Sequence, residues 1–206
     1  MSKIERLFFS IISEKNKGPI TKLFRALLFL LSKAFQKVVT FRTWGYKKNY
    51  IPSFRPKAFT ISIGNITCGG TGKTPLTIAL AKEFSQNFQT AIITRGYRSK
   101  IERNNSLKFI QNEVVSVDEV GDEACLYVRH VPKALVALGP KRKKAASIVD
   151  LPKSAVLLID DGMQHHGILR DVEIVVIDAI QPFGTNHLLP RGTLREPLSS
   201  LTRGRR

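Results

Sequence analysis

Phe59-Thr60-Ile61-Ser62-Ile63-Gly64 runs without a break into Asn65-Ile66-Thr67-Cys68-Gly69-Gly70-Thr71-Gly72-Lys73-Thr74, and this stretch decides how the chain is read. The first six residues alternate apolar with small or polar side chains, as a strand does. Beyond the loop, Leu76, Ala79, Leu80 and Phe84 fall at helical spacing. Strand, glycine-rich loop, Gly-Lys-Thr and helix together are the context of a phosphate-binding loop. Glycines let successive backbone N–H groups point at phosphate oxygens, and the following helix adds the positive end of its dipole. Lys73 supplies a point charge and the Thr74 hydroxyl a ligand for Mg²⁺. The usual pattern has glycine at position 67, where this chain has Thr67, so the loop is a variant whose glycines are Gly69, Gly70 and Gly72. A chance lysine after a glycine-rich turn is the plainer alternative, and the flanking strand and helix weigh against it.

A phosphate-binding loop of this kind needs an acidic partner at the end of a buried strand. Ala155-Val156-Leu157-Leu158-Ile159 is a continuous apolar run, as in a strand covered on both faces, and Asp160-Asp161-Gly162 closes it. One carboxylate is expected to serve Mg²⁺, its neighbour pointing to the opposite side of the strand. A solvated Asp-Asp-Gly turn is the bland alternative. Further strands are predicted at Thr90–Thr94, Val114–Val117, Ala134–Leu138 and Val172–Ile177, mostly separated by helix-like stretches. Alternation of this sort predicts an α/β fold, a mostly parallel sheet covered by helices with ligands at the strand C-terminal ends. Arg95-Gly96-Tyr97, Asp160-Asp161 and Asp178 follow such ends and are expected on one rim.

The 206 residues carry 33 Lys plus Arg against 16 Asp plus Glu, a formal charge of +17, with 43% apolar residues. That apolar share supports a core and excludes a disordered or fibrous chain. Cys68 and Cys125 have no metal-ligand spacing and read as reduced thiols in a cytosolic compartment. The charge is unevenly spread: residues 1–60 hold 13 basic and 2 acidic side chains, residues 61–190 hold 15 and 13, and residues 191–206 hold 5 and 1. Basicity thus belongs to the two ends. Aromatic residues are not interleaved among clustered basic ones, which argues against a nucleic-acid partner.

Met1–Gly18 lacks the clean apolar run and cleavage site of an export signal. From Ile20, the apolar residues Leu23, Phe24, Leu27, Leu30, Leu31, Ala34, Phe35 and Val38 recur at helix-face spacing, while Lys22, Arg25, Lys33 and Lys37 fall on the other side. The charge-free stretch Ala26–Ser32 is far short of the roughly 20 residues a spanning helix needs. Two fates remain open for this helix: lying on an anionic membrane surface, with Trp44, Tyr46 and Tyr50 at headgroup level, or packing on the rest of the protein. The expected organisation is an amphipathic helix and connector over residues 1–57 and a nucleotide-binding core over residues 58–206.

Six blocks in order resemble the tetraacyldisaccharide 4'-kinase family, which phosphorylates a lipid A precursor. They are Ser62–Thr67 with Gly69–Pro75, Thr94–Tyr97, Val120–Glu123, Asp160-Asp161-Gly162-Met163-Gln164-His165, Arg170-Asp171, and Leu188–Pro197 with its Leu-Arg-Glu-Pro. The resemblance implies a P-loop kinase fold preceded by a membrane-docking helix. It implies ATP and Mg²⁺ as cofactors, and transfer of the γ-phosphate to the 4'-hydroxyl of an acylated glucosamine disaccharide 1-phosphate at the cytoplasmic face of the bacterial inner membrane. Thr67, Cys68, Gly69, Gly70, Thr71, Gly72, Lys73 and Thr74 would bind ATP phosphates, with Gln164 and His165 beside them. Thr74, Asp160 and Asp161 would serve the metal, Asp122 would accept the hydroxyl proton, and Arg95, Arg195 and Glu196 would meet the acceptor.

Each role has a plainer counterpart. Asp122 as cap of a helix beginning at Glu123 is one, and histidines 165 and 166 without a ligand role are another. Lys141–Lys144 reads as a solvated helix face. Arg191 and Thr193 depart from the small residue and proline the family would place there. The family continues into a second lobe beyond the Leu-Arg-Glu-Pro block, so the expectation is of an N-terminal portion whose second lobe is truncated, binding nucleotide. A membrane-associated P-loop ATPase, or a fragment that binds nucleotide only, is the alternative function.

Overall fold

The structure is a computed structural model and describes residues 10–11 and 18–204. Residues 1–9 and 12–17, on which the absence of an export signal was read, lie outside the described residues, as do residues 205–206. The chain divides into two compact units: one of Ile51–Asn65 and Gly72–Val176, the other of Met1–Tyr50, Ile66–Thr71 and Ile177–Arg206.

The unit of Ile51–Asn65 and Gly72–Val176 is built on a six-stranded sheet. Its strands are β1 (Phe59–Gly64), β2 (Thr90–Thr94), β3 (Lys108–Ile110), β4 (Leu135–Leu138), β5 (Val156–Asp160) and β6 (Val172–Val175), in the order β3-β4-β2-β5-β1-β6. All neighbours are parallel except the β3–β4 edge pair. β5 sits between β1 and β2, Ile63 opposite Asp160 on one side and Ile93 opposite Ile159 on the other. All five of its residues are buried, which is why its sequence is apolar without alternation until the aspartate. Ile61, Ile63, Ile92 and Leu158 pack on one face of the sheet and Ile93, Leu157 and Ile159 on the other. Helices cover both faces: α2 (Lys73–Asn87) and α5 (Asp122–His130) pack on the first and α6 (Arg142–Ile148) on the second, while α3 (Lys100–Arg103) and α4 (Val117–Val120) are single turns.

The expected strand at Val114–Val117 is absent. Val114 is fully exposed, and Val117 begins a one-turn helix capped by Ser116, whose hydroxyl accepts the Glu119 N–H. The edge strand lies earlier, at Lys108–Ile110, where antiparallel pairing with β4 puts Ile110 into the core.

In the second unit, α1 (Pro19–Lys47) is a 29-residue helix with Pro19 in its first turn. It buries Leu28, Ser32, Val39 and Gly45, a narrow stripe. Ser32 Oγ donates to the Leu188 carbonyl at 2.7 Å and accepts the Arg191 N–H at 3.0 Å, and Phe29 meets His187 edge-on. The apolar face read from sequence is a different one, and most of it stays open: Leu23 is 75% exposed, Leu30 66% and Val38 64%. Among the described residues no helix is long and apolar enough to cross a membrane.

Candidate functional site

In the sheet-bearing unit, helix α2 (Lys73–Asn87) starts where the glycine-rich loop ends. Gly72 stands at its cap with φ 88°, a left-handed conformation that glycine adopts without Cβ strain. Lys73 and Thr74 are thereby the first residues of α2, and the Lys73 side chain, mostly buried, brings Nζ to 3.9 Å from Asp161 Oδ1. That distance is a loose ion pair.

Asp160 closes β5 and is 2% exposed. Its Oδ2 accepts from the Thr94 hydroxyl at the end of β2, at 3.2 Å. Its Oδ1 completes no hydrogen bond. Burial pushes this carboxylate up from its ordinary value, opposed by Tyr127 and by the charge of Arg142. Asp161 does not continue the strand: with φ 48° it turns in the left-handed region, which aspartate tolerates. Simple alternation would have sent the two carboxylates to opposite faces; the turn instead carries that of Asp161 toward Lys73. Gly64, at the end of β1, lets this loop approach, since a Cβ there would lie 2.5 Å from that of Met163.

Four residues around these carboxylates were not singled out by sequence reasoning. Arg142 heads α6 (Arg142–Ile148), within the run read as a solvated face, yet it is only 7% exposed. Its Nη1 donates to the carbonyls of Asp160 at 3.0 Å and Asp161 at 2.8 Å, clamping the turn. Glu123 and Tyr127 share a face of α5 (Asp122–His130) one turn apart. Burial raises the Glu123 pKa, and the charges of Asp160 and Asp161 raise it further. Thr94, the first residue of the Thr94–Tyr97 block, holds Asp160 as described. Only Glu123 and Thr94 carried any signal, as members of the Val120–Glu123 and Thr94–Tyr97 blocks.

Asp122 is exposed and is the first residue of α5, not its cap. Gly121 takes the cap position with φ 86° and no side-chain cap bond, because a Cβ there would lie 2.6 Å from the Tyr97 carbonyl. The Asp122 carboxylate is therefore not consumed in capping. Arg95 pairs with Glu102 at 2.5 Å. Gln164 Nε2 donates to the Asn65 carbonyl at 2.9 Å, tying the Asp-Asp-Gly loop to the end of β1. His165 anchors its backbone on Gly162 and borders a cavity of about 430 Å³ with Phe54, Lys141 and Lys144.

The remaining predicted residues lie in the other unit. Thr67 bridges to Leu194, the Cys68 N–H donates to the Thr193 carbonyl at 2.7 Å, and the Arg195 N–H to the Ile66 carbonyl at 2.8 Å. The Leu-Arg-Glu-Pro segment thus holds the start of the glycine-rich loop through its backbone, with Glu196 fully buried and Arg195 partly so. Gly69 has φ 124°, and Gly69 and Gly70 are exposed, as is Cys68, which like Cys125 is a free thiol. Asp178 is committed to a local turn, its Oδ1 accepting from the Ile180 and Gln181 amides.

Among the described residues no three His, Cys, Asp or Glu side chains converge as a metal cage. Magnesium does not ask for one: it keeps several waters and takes one or two carboxylates with phosphate oxygens. The free Oδ1 of Asp160 and the Thr74 hydroxyl fit that donor set, while Lys73, beside Asp161, offers a cation to the phosphates.

The model of the family described as Tetraacyldisaccharide-1-P 4'-kinase matches residues 24–205. Tetraacyldisaccharide 4'-kinase of Halothermothrix orenii is 36% identical over 204 residues, covering 98% of this chain and 53% of that protein. The enzyme of the same name from Psychrobacter cryohalolentis is 38% identical over 178 residues, covering 85% of this chain and 47% of that protein. The crystal structure described as the "apo" form of LpxK from Aquifex aeolicus in complex with ATP superimposes with a TM-score of 0.77 at 30% identity, covering 88% of this chain and 57% of that one. The chain spans about half the length of the curated relatives it matches. Its α/β fold, its ordered motifs and these likenesses agree: the chain belongs to the tetraacyldisaccharide 4'-kinase family.

Proposed function

We propose that the chain is the nucleotide-binding portion of a kinase that transfers the γ-phosphate of ATP to the 4'-hydroxyl of a tetraacyldisaccharide 1-phosphate lipid. The observation that carries this reading is the juxtaposition of Lys73, at the start of α2, with the Asp160–Asp161 pair at the end of β5. Glycine-rich amides of residues 69–72 and the Lys73 ammonium neutralise phosphate charge and orient the chain of phosphates. Thr74 with Asp160 or Asp161 would hold Mg²⁺, which when bound supplies charge neutralisation between the phosphate groups. Arg142 keeps the aspartate turn rigid through its two carbonyl contacts. Asp122, exposed and uncommitted to capping, is the side chain proposed to accept the proton of the attacking hydroxyl. Little further covalent help is required, since phosphoryl transfer is mostly positioning and electrostatics.

Arg95, Arg195 and Glu196 are proposed to meet the acceptor, with Gln164 and His165 beside the nucleotide. The basic cavity beside His165 suits an anionic part of the acceptor. The open apolar face of α1, flanked by Lys22, Lys33 and Lys37, supports docking on the anionic surface of the membrane that holds the lipid, at its cytoplasmic face and without crossing it. Nucleic acid is not a proposed partner.

The test is transfer of labelled phosphate from ATP to the disaccharide lipid in anionic vesicles, by the protein with the further length of its relatives. Lys73→Ala and Asp122→Ala should each lower turnover at least 100-fold, with nucleotide binding lost in the first and kept in the second. Lipid-stimulated phosphate release with no phosphorylated lipid would instead establish an ATPase.

A further inference from the structure

Helix α5 carries into the core one polar atom that the reading above leaves unused. Tyr127 is 0% exposed, its ring packed in the cluster that includes Ile61, Ile63, Ile92 and Leu158. Phe would fill that space with no polar cost, whereas a hydroxyl left unpartnered in a protein interior is destabilising. The hydroxyl lies in the neighbourhood of the Asp160 carboxylate and the Thr74 hydroxyl. Tyr127 Oη and Asp160 Oδ1 each stop short of a completed hydrogen bond. A buried donor and a buried acceptor, neither with a completed hydrogen bond, thus belong to neighbouring side chains, while the other oxygen of the same carboxylate is held by Thr94.

We propose that Tyr127 is a positioning residue: its hydroxyl donates to Asp160 Oδ1 and, with Thr94 on Oδ2, fixes the rotation of the carboxylate that meets the magnesium nucleotide. A carboxylate oxygen accepts more than one partner, so this bond leaves a lone pair of Oδ1 for the ion. Held at both oxygens, the side chain loses no rotational freedom when the nucleotide arrives, and such outer partners are worth 10–100-fold in metal affinity or activity. The inference rests on the functional reading that Asp160 faces the metal.

Calorimetry with ATP, in excess magnesium and again in EDTA, separates this role from core filling. Tyr127→Phe keeps the ring, and it should weaken binding about tenfold in magnesium while leaving the EDTA value within about twofold. Thr94→Val, which removes the second donor from the same carboxylate, is measured beside it so that the result does not hang on one variant, and should show the same magnesium-specific loss. In an Asp160→Asn background, Tyr127→Phe should add no further loss. Equal weakening with and without magnesium, or a lowered melting temperature with binding unchanged in both variants, would overturn the proposal and leave Tyr127 as core. If the parent chain binds no nucleotide even in magnesium, the functional reading fails and takes this inference with it; if the parent binds and both variants bind as well, only the inference fails.

Discussion

Replacing Arg142 by methionine removes the clamp on the aspartate turn while conserving most of the buried volume. In the parent, the guanidinium is 7% exposed and donates at 3.0 Å and 2.8 Å to the carbonyls of Asp160 and Asp161. Burial lowers its own pKa, opposed by the charges of Asp161 and Asp160, so the cation is held in place by its neighbours. Hydrogen bonds from a charged donor contribute about 1.5–3 kcal/mol each. The desolvation recovered when the cation leaves offsets part of that, while Asp160 loses the charge that opposes its burial and Glu123 keeps only Lys73 of its two compensating cations. We take about 3 kcal/mol as the net loss, which for a chain of this size lowers the melting temperature by roughly 6–12 °C. Arg142→Lys, retaining charge but not the fork, should fall between the two. The assay is thermal and urea unfolding of parent and both variants at neutral pH. A fall of less than about 2 °C for Arg142→Met would refute the clamp.

Gly64→Ala places a methyl 2.5 Å from Met163 Cβ, so it should cost about 1–3 kcal/mol in urea unfolding and, by displacing the aspartate turn, weaken magnesium-nucleotide binding. Glu123 has its folded pKa raised by burial and by Asp160 and Asp161, so the folded state holds its proton to higher pH than the unfolded state does. Stability should therefore fall as pH rises from the unfolded pKa through the folded one, the penalty being fully present above it; Glu123→Gln should melt higher than the parent at pH 8, with the difference vanishing as pH approaches 4. Leu23→Glu with Leu30→Glu, both on the open face of α1, should leave the melting temperature within about 2 °C and abolish flotation with anionic vesicles.

What was legible in the sequence was local or repetitive. The run Val156–Ile159 is apolar because β5 has a strand on either side, and the loop that precedes Lys73 keeps glycine where φ is positive, at Gly69 and Gly72. The open stripe of α1 was equally plain from spacing, and only its surroundings told whether it packs or stays exposed. Val114–Val117 misled because β-branched residues also begin helices when a Ser caps them, as Ser116 does here. Arg142 was hidden among three lysines of the same charge, and only the fold shows that it alone turns inward. Thr94 and Tyr127 meet Asp160 across 66 and 33 residues of sequence, a proximity set by strand order and by helix packing, which no spacing rule encodes.

The central claim, that Lys73 and the aspartates after β5 gather a magnesium nucleotide, is tested most directly by titrating ATP into the chain with and without magnesium, beside Lys73→Ala. Binding in the micromolar range that needs magnesium and is lost at least tenfold in Lys73→Ala is the predicted result. No heat of binding from folded parent protein at millimolar ATP and magnesium, or affinity indifferent to Lys73, would contradict it.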